Sequence, residues 1–173
     1  MLKNNLSSKE IFKNYDLIIA HKKSLNIFQS INKSLPKVLK CNISRCGTCP
    51  ILLTGPKFVV NNNLTLFPNK IINCRSKNLL YVLKCFHCEK WYIGETECEL
   101  RIRVTLHRQH SRTNYGFSKL ANHLKDCAKL HHEEPKFNLF PFYQNYQMSK
   151  TIRRQLENYF IQKYSPPLNA TTS

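Results

Sequence analysis

The eight cysteines constrain the fold of this 173-residue chain more than any other feature, because their chemistry depends on whether they stay reduced. The first ten residues, MLKNNLSSKE, lack the apolar core and the small-residue cleavage site of a secretory signal, which indicates an intracellular protein. Intracellular thiols remain reduced, and seven histidines accompany them, so metal binding is favoured over disulfides. Zinc is therefore the first metal to expect.

The chain is strongly basic, and no stretch of it is long and apolar enough for a membrane span. Its 27 Lys and Arg oppose 10 Asp and Glu, which gives a formal net charge of +17. Such a surface favours a polyanionic partner, for which nucleic acid, an anionic membrane and an acidic protein are the candidates. No carboxylate occurs between Asp16 and Glu89, where Lys and Arg occur eleven times. We interpret this stretch either as a solvated linker or as a surface lying along phosphates.

Hydrophobic periodicity divides the chain near residue 76. Before it, residues 24–38 carry apolar side chains at spacings of three and four, which predicts a short amphipathic helix ended by Pro36. After it, residues 79–84 and 91–95 are β-prone segments around a tight tip, the pattern of a β-hairpin. We therefore expect a basic linker region over 1–75 and a compact α/β (α+β) domain over 76–173.

Helix signals follow the hairpin. Thr96 and Glu99 match a capping box, which favours a helix from residue 100 over the strand that alternating apolar residues would suggest. The further predicted elements, in chain order, are a helix over 118–126, a Phe-rich strand over 136–143 and a helix capped by Ser149 that ends at Pro166. The domain is thus predicted to run hairpin, helix, helix, strand, helix.

Cys85 and Cys88 form a Cys-x-x-Cys pair at the tip of the predicted hairpin. Two thiolates three residues apart can hold one side of a tetrahedral zinc ion, and two more ligands must come from elsewhere. The candidates are His123 with His131 or His132, and Cys127 in place of one of them. The alternative is a pair of ordinary buried thiols beside solvated histidines.

A second possible zinc site comprises Cys41, Cys46, Cys49 and Cys74. The first three lie close together in CNISRCGTC, where Gly47 supplies a flexible turn. Cys74 is distant in the sequence. The alternative is a loop of unligated thiols.

The hairpin and the following helix carry a recognisable pattern. Leu79-Leu80-Tyr81, then ten residues, then Tyr92-Ile93-Gly94-Glu95-Thr96, then Leu100-x-x-Arg103, resembles the GIY-YIG nuclease signature. The inserted Cys-x-x-Cys makes the chain similar to the endonuclease domain of Penelope-like retroelements, in which two downstream histidines complete a CCHH zinc motif. Residues 17–23 and the block CNISRCGTCP are also similar to the region that precedes that endonuclease. The resemblance implies a small three-stranded antiparallel sheet flanked by helices.

The resemblance also implies roles for individual residues. Tyr81 and Tyr92 match the tyrosines that orient or deprotonate the attacking water, and Arg103 matches the essential arginine. His107, one helical turn further on, matches a histidine often found in the site. Glu157 matches the ligand of a single divalent ion, Mg²⁺ or Mn²⁺.

The resemblance further assigns Gly94, Arg101 and Asn169 to substrate binding, and His123 and His131 to the zinc site with the two hairpin cysteines. It implies metal-dependent DNA cleavage, most simply nicking, with DNA as partner, a reverse transcriptase in cis or in trans, and a nuclear location.

The chemistry of these side chains is compatible with such roles. A permanently charged guanidinium can neutralise the negative charge that develops on the phosphate. A phenol with its ordinary pKa of about 10 is a poor base unless neighbouring groups change that pKa.

Each of these residues also has a structural interpretation. Arg103 can be one more basic surface residue, the two tyrosines can be core aromatics, and Glu157 can pair with Arg153 or Arg154 within its helix. Two other functions therefore stay open: a non-catalytic zinc-stabilised nucleic-acid-binding protein, and a structure-selective DNA repair nuclease of the same superfamily.

Overall fold

The computed structural model describes residues 35–113 and 118–169. From Pro36 onward the chain forms one contact unit, which is the unit described below. Its elements are β1 (Phe58–Asn61), β2 (Leu64–Leu66), β3 (Leu79–Cys85), β4 (Trp91–Thr96), α1 (Leu100–Arg112), α2 (Lys119–Leu130), β5 (Phe137–Gln144) and α3 (Lys150–Tyr164). The fold is thus mixed α+β, and the predicted order of hairpin, helix, helix, strand, helix is confirmed.

A three-stranded antiparallel sheet in the order β4-β3-β5 forms the centre of this unit. The middle strand, β3, is buried along its length except at Lys84, because strands flank it on both sides and helices and loops cover its faces. The register places Tyr81 opposite Gly94 on one neighbour and opposite Pro141 on the other. A bulge next to Tyr81 accommodates this proline, which has no backbone N–H to donate to the ladder.

Residues 36–75, expected to be a linker, pack against the sheet instead. The N–H of Leu53 donates to the carbonyl of Leu139 at 2.9 Å, and the Phe58 ring lies 5.4 Å from that of Phe140. The side chain of Asn69 makes two hydrogen bonds to the backbone of Gln144, at 2.9 and 3.0 Å. The strands β1 and β2 within this segment were not predicted. The expected boundary at residue 76 therefore does not separate a linker from the domain.

The helix predicted over 24–38 falls mostly outside the described residues. Its described end is not helical, and Val38 forms single bridges to Gly55 and Ile72. No helix among the described residues is long and apolar enough to cross a membrane.

The helix expected after the capping box is present, but its cap is not the predicted one. Glu99 occupies the N-cap position of α1 and makes no side-chain capping bond, while the Thr96 hydroxyl donates to the carbonyl of Cys98 at 3.2 Å. The first amides of α1 donate instead to the carbonyls of Ser76, at 3.0 Å, and Cys74, at 2.9 Å. Tertiary contacts therefore replace the local cap.

A serine caps each of the two later helices; the cap at Ser149 is the predicted one, and Ser118, expected as the first residue of its helix, is its cap instead. Ser118 accepts a hydrogen bond from the amide of Ala121 at the start of α2, and Ser149 accepts one from Ile152 at the start of α3. Ser165, in the left-handed conformation, ends α3 just before Pro166. Local capping chemistry thus fixes both helices.

Candidate functional site

Tyr81 lies at the centre of the site, fully buried in the middle strand of the sheet. Its hydroxyl oxygen is 2.6 Å from Nε2 of His107, and Nε of Arg103 donates to the same oxygen at 3.0 Å. Arg103 and His107 are one turn apart on α1, so both side chains reach one face of the sheet. The structure thus brings together three of the residues singled out in the sequence.

Charge fixes the donor in one of the two hydrogen bonds of this trio. The Arg103 guanidinium can only donate, so the Tyr81 oxygen accepts from it. The imidazole tautomer decides whether the Tyr81 hydroxyl or Nε2 of His107 donates in the other bond. Burial, together with the charge of Arg103, lowers the pKa of His107 to about 3, so the ring is neutral at physiological pH.

The pKa of Tyr81 shifts in the opposite direction from the one a catalytic base would need. Burial raises it well above its ordinary value, and the nearby Tyr92 adds to the increase, while Arg103 only partly offsets it. A lowered pKa, the condition on which a tyrosine would act as the base, is therefore not met at Tyr81. Tyr81 is a neutral phenol that holds Arg103 and His107 in place.

Tyr92 stands beside this trio on β4. Its ring centroid is 6.5 Å from that of Tyr81 and 6.0 Å from that of His107. Burial and the charge of Glu157 raise the pKa of Tyr92 to about 12, although Arg103 opposes this shift. The side chain is only half-buried, so Tyr92 is the more accessible of the two phenols.

Gly94 allows the two tyrosines to approach each other across β4. A Cβ atom at this position would lie 2.5 Å from Cε1 of Tyr92 and 2.7 Å from the hydroxyl oxygen of Tyr81. Both distances are shorter than real contacts of a Cβ atom. The glycine predicted to bind substrate therefore also has a steric role: it makes room for the phenols.

Glu157 reaches the site from α3. Burial and the nearby charge of Glu95 raise the pKa of Glu157 to about 7, while the backbone amide of Glu95 and the side chain of Arg103 pull it down. The alternative was that Glu157 pairs with Arg153 or Arg154 within its helix. Arg153 is occupied elsewhere, and the charge of Arg154 lowers the pKa of Glu157 without offsetting the effect of burial. A half-buried carboxylate thus lies close to the arginine and the tyrosines.

Arg153 is a residue of this site that the sequence analysis did not identify. Its side chain is 2% exposed, and it pairs with Glu95 through Nε and with Glu97 through Nη2 at 3.0 Å. A third bond runs from Nη1 to the side-chain oxygen of Asn78 at 3.1 Å. Its spacing could have indicated that it is buried, because Arg153 lies three residues before Leu156 on the apolar face of α3. It joins α3 to β4 and so fixes the helix that carries Glu157.

Two residues predicted to bind substrate have other contacts. Both polar atoms of the Asn169 side chain bond to the backbone of Ile93, at 2.9 and 2.8 Å, so Asn169 attaches the C-terminal segment to β4. Arg101 is exposed and pairs with Glu99 at 2.5 Å on the opposite flank of α1 from Arg103. Neither residue has a contact with the Tyr81 trio among those resolved in the described chain.

The four cysteines that precede the hairpin converge into one group, as the metal-site interpretation predicts. They are Cys41, Cys46, Cys49 and Cys74. All their sulfurs lie within 4.8 Å of one another, and three of the separations are 3.5, 3.5 and 3.6 Å. Tetrahedral zinc with Zn–S bonds of about 2.3 Å requires sulfurs about 3.8 Å apart. This group, which we call the four-cysteine cluster, can therefore hold a metal such as zinc.

The metal-ligand group at the hairpin differs from the predicted one in a single ligand. Cys85 and Cys88 converge with His123 and Cys127, and Nε2 of His123 lies 3.1 Å from the sulfur of Cys88 and 3.4 Å from that of Cys127. His131 is not part of it, since its ring stacks on that of His87 at 4.1 Å.

The reason for the different ligand lies in α2. This helix continues to Leu130, beyond the predicted end at 126, so His123 and Cys127 lie on one face at i and i+4. His131 falls at the helix C-cap. We call the group of three cysteines and His123 the hairpin cluster, and its donor set also suits a metal such as zinc.

Comparison with protein-family models, with curated proteins and with solved structures finds no significant match for this chain.

Proposed function

We propose that this protein is a metal-dependent DNA endonuclease with a GIY-YIG fold, of the type found in Penelope-like retroelements. The observation that carries the proposal is the bonding of Tyr81 to both Arg103 and His107, with Tyr92 and Glu157 beside them. Burial explains why the Tyr81 hydroxyl and the His107 ring are hydrogen-bonded, but it does not require that Arg103, Tyr92 and Glu157 lie beside them. The signature of the resembling family names the same five residues.

Arg103 and the two tyrosines would handle the phosphate and the water. Arg103 uses Nε to bond Tyr81, and its side chain also has a hydrogen bond with Tyr92. Its remaining N–H groups would donate to a scissile phosphate and offset the charge that develops on the phosphate oxygens. Tyr92, the more accessible phenol, would orient the attacking water. With its raised pKa it serves as a hydrogen-bonding group and not as the base.

Glu157 is the residue that would hold the divalent ion, Mg²⁺ or Mn²⁺. Its half-buried carboxylate and the charge of Glu95 repel each other, which a cation would relieve. Such an ion is commonly held by one or two carboxylates plus water and phosphate oxygens, so the donor set fits. When bound, the ion would act as a Lewis acid on the phosphate.

Plasmid nicking by the zinc-loaded full chain tests this proposal. We expect supercoiled DNA to be nicked with Mg²⁺ or Mn²⁺, and Arg103→Ala and Glu157→Gln to lose roughly 100-fold or more of the rate, the usual cost of removing one transition-state donor. DNA binding should change little. The matched control is Lys150→Ala, an exposed charge at the start of α3, which should cut normally.

A non-catalytic zinc-stabilised nucleic-acid-binding protein is the second candidate function. The two cysteine clusters and the net charge of +17 favour it equally well. Intact wild-type protein with both clusters filled that binds DNA but never nicks it would establish this function instead. Loss of folding in Arg103→Ala would return that residue to a structural role.

A further inference from the structure

One flank of α1 carries a line of arginines that the proposed catalytic site does not use. Arg101, Arg108 and Arg112 recur at helical spacing, with Thr105 between the first two. At about 100° per residue these four positions fall within an arc of roughly 60°, on the side of the helix away from Arg103. The line is roughly 16 Å long, since its ends are eleven positions apart and each position adds about 1.5 Å along the helix axis. We call it the arginine flank.

Two concave surfaces meet along this flank. The first, with a volume of about 430 Å³, lies against the loop of the four-cysteine cluster and is lined by Arg45, Arg101 and Arg108. The second, of about 880 Å³, is lined by Arg108 and Arg112 together with Lys136, which immediately precedes β5. Both are lined by Thr105 and Arg108, so they adjoin along α1, and we call the two together the groove.

Three of the cations along this groove have carboxylate partners: Arg101, Arg112 and Lys136. Lys136 pairs with Glu133 at 2.7 Å, and the two side chains are 48% and 40% exposed. Glu134 is the one acidic residue among the described residues that line it. It pairs with Arg112 at 2.9 Å, and the two side chains are 71% and 60% exposed. Arg101 pairs outside the groove with Glu99. Solvent-exposed pairs of this kind contribute little and give way readily to a stronger anion.

An exposed aromatic ring lies in the same groove. Phe86, at the tip of the β3–β4 hairpin, is 58% exposed and lines the second concave surface. Nζ of Lys136 lies 5.9 Å from the centroid of its ring. Cations that follow a backbone, next to an aromatic ring open to solvent, are the combination that binds unpaired nucleotides by phosphate contacts and base stacking.

We propose that the arginine flank and Phe86 form a binding surface for single-stranded nucleic acid. The phosphates lie along Arg101, Arg108 and Arg112, and a base stacks on Phe86. A duplex offers no unstacked base to this ring, so the surface prefers single strands. The surface lies across α1 from Tyr81, and its binding does not depend on the proposed cleavage.

Fluorescence anisotropy tests the proposal, with a labelled oligothymidylate of roughly 15 nucleotides, zinc-loaded full chain and no magnesium. We expect Arg101→Gln/Arg112→Gln to bind at least tenfold more weakly and to lower the slope of log affinity against log salt by about 1.4, which is two phosphates at about 0.7 each. Phe86→Ala should weaken binding about tenfold and leave that slope unchanged.

The matched control removes two exposed charges elsewhere, with Lys119→Gln/Lys129→Gln on α2; this variant should keep most of the wild-type affinity. Circular dichroism establishes that all the variants fold. If the flank variant and the control variant weakened binding equally, bulk charge alone would account for the affinity, and the proposal would be overturned. Tighter binding of a duplex of the same length, or unchanged binding by Phe86→Ala, would overturn it as well. An oligouridylate of equal length shows whether RNA binds as well, and binding of either strand supports the surface.

Discussion

Arg153→Met is expected to destabilise the protein more than any other single charge removal on α3. The change keeps the aliphatic volume but removes a guanidinium that is 2% exposed and holds two carboxylates and one amide oxygen. Glu97, with a side chain 66% exposed, can return to water. Glu95, at 19%, stays largely buried with no counter-charge.

The size of the effect follows from Glu95. Breaking a buried ion pair by removing one partner costs about 3–5 kcal/mol, whereas an exposed pair such as that with Glu97 adds about 0–1 kcal/mol. For a unit of this size, such a loss lowers the thermal midpoint by roughly 10–15 °C. Glu95→Gln/Arg153→Met should recover much of it, since no unpaired charge remains.

Thermal melts followed by circular dichroism, at one fixed zinc concentration, measure this difference. The matched control is Arg154→Met, the exposed neighbour on the same helix, which should shift the midpoint by no more than a few degrees. A midpoint for Arg153→Met within about 3 °C of that control, a small fraction of the expected shift, would refute the reasoning. So would a double variant no more stable than Arg153→Met alone.

Three further predictions concern the metal and the tyrosine site. Cys127→Ser should lower the zinc content of the purified protein from two ions to one, and His131→Asn should leave it at two, because only the cysteine belongs to the hairpin cluster. Gly94→Ala should cost about 1–3 kcal/mol of stability through overpacking and should suppress nicking, because the added methyl group displaces the Tyr81 hydroxyl. The pKa of His107 is about 3 in the folded protein against 6.5 ordinarily, so the unfolded chain binds its proton first. The free energy of unfolding that is present above pH 6.5 is therefore lost as the pH falls, by about 2 kcal/mol at pH 5. In urea titrations, His107→Gln should lack this part of the pH dependence.

Each of these has a contrary result. Retention of both zinc ions in Cys127→Ser, with loss of one in His131→Asn, would restore the predicted ligand. Wild-type stability and nicking in Gly94→Ala would mean that the tyrosines move apart freely. Parallel pH profiles for wild type and His107→Gln would show that folding does not lower the pKa of the imidazole.

Local chemistry explains what the sequence could predict. The β3–β4 hairpin and the cap at Ser149 depend on neighbouring residues only, and the structure has them where the sequence placed them. The convergence of the four-cysteine cluster was one of two open alternatives. Its first three cysteines lie within nine residues, which made the geometry plausible from spacing alone.

Long-range contacts explain what it could not. The bridge between Leu52 and Leu139 joins residues far apart in the chain, and no periodicity signals it. The same holds for α1, whose first amides bond to Cys74 and Ser76 instead of a local cap. The fourth metal ligand stayed open between His131, His132 and Cys127, because helix ends are hard to predict. The four residues by which α2 extends past residue 126 place Cys127 in the hairpin cluster.

The central position of β3 sets an order of events during synthesis. This strand leaves the ribosome well before β5. Until residues 137–144 emerge, the edge of β3 that pairs with β5 stays unpaired, and Leu52 lacks its bridge partner Leu139. Until then the nascent chain exposes an apolar edge of the kind that invites aggregation. The four-cysteine cluster is complete once Cys74 has been made, before β3 itself. A metal captured there would hold residues 41–74 together before the later strands assemble, and the yield of folded protein would then depend on the metal supply during translation.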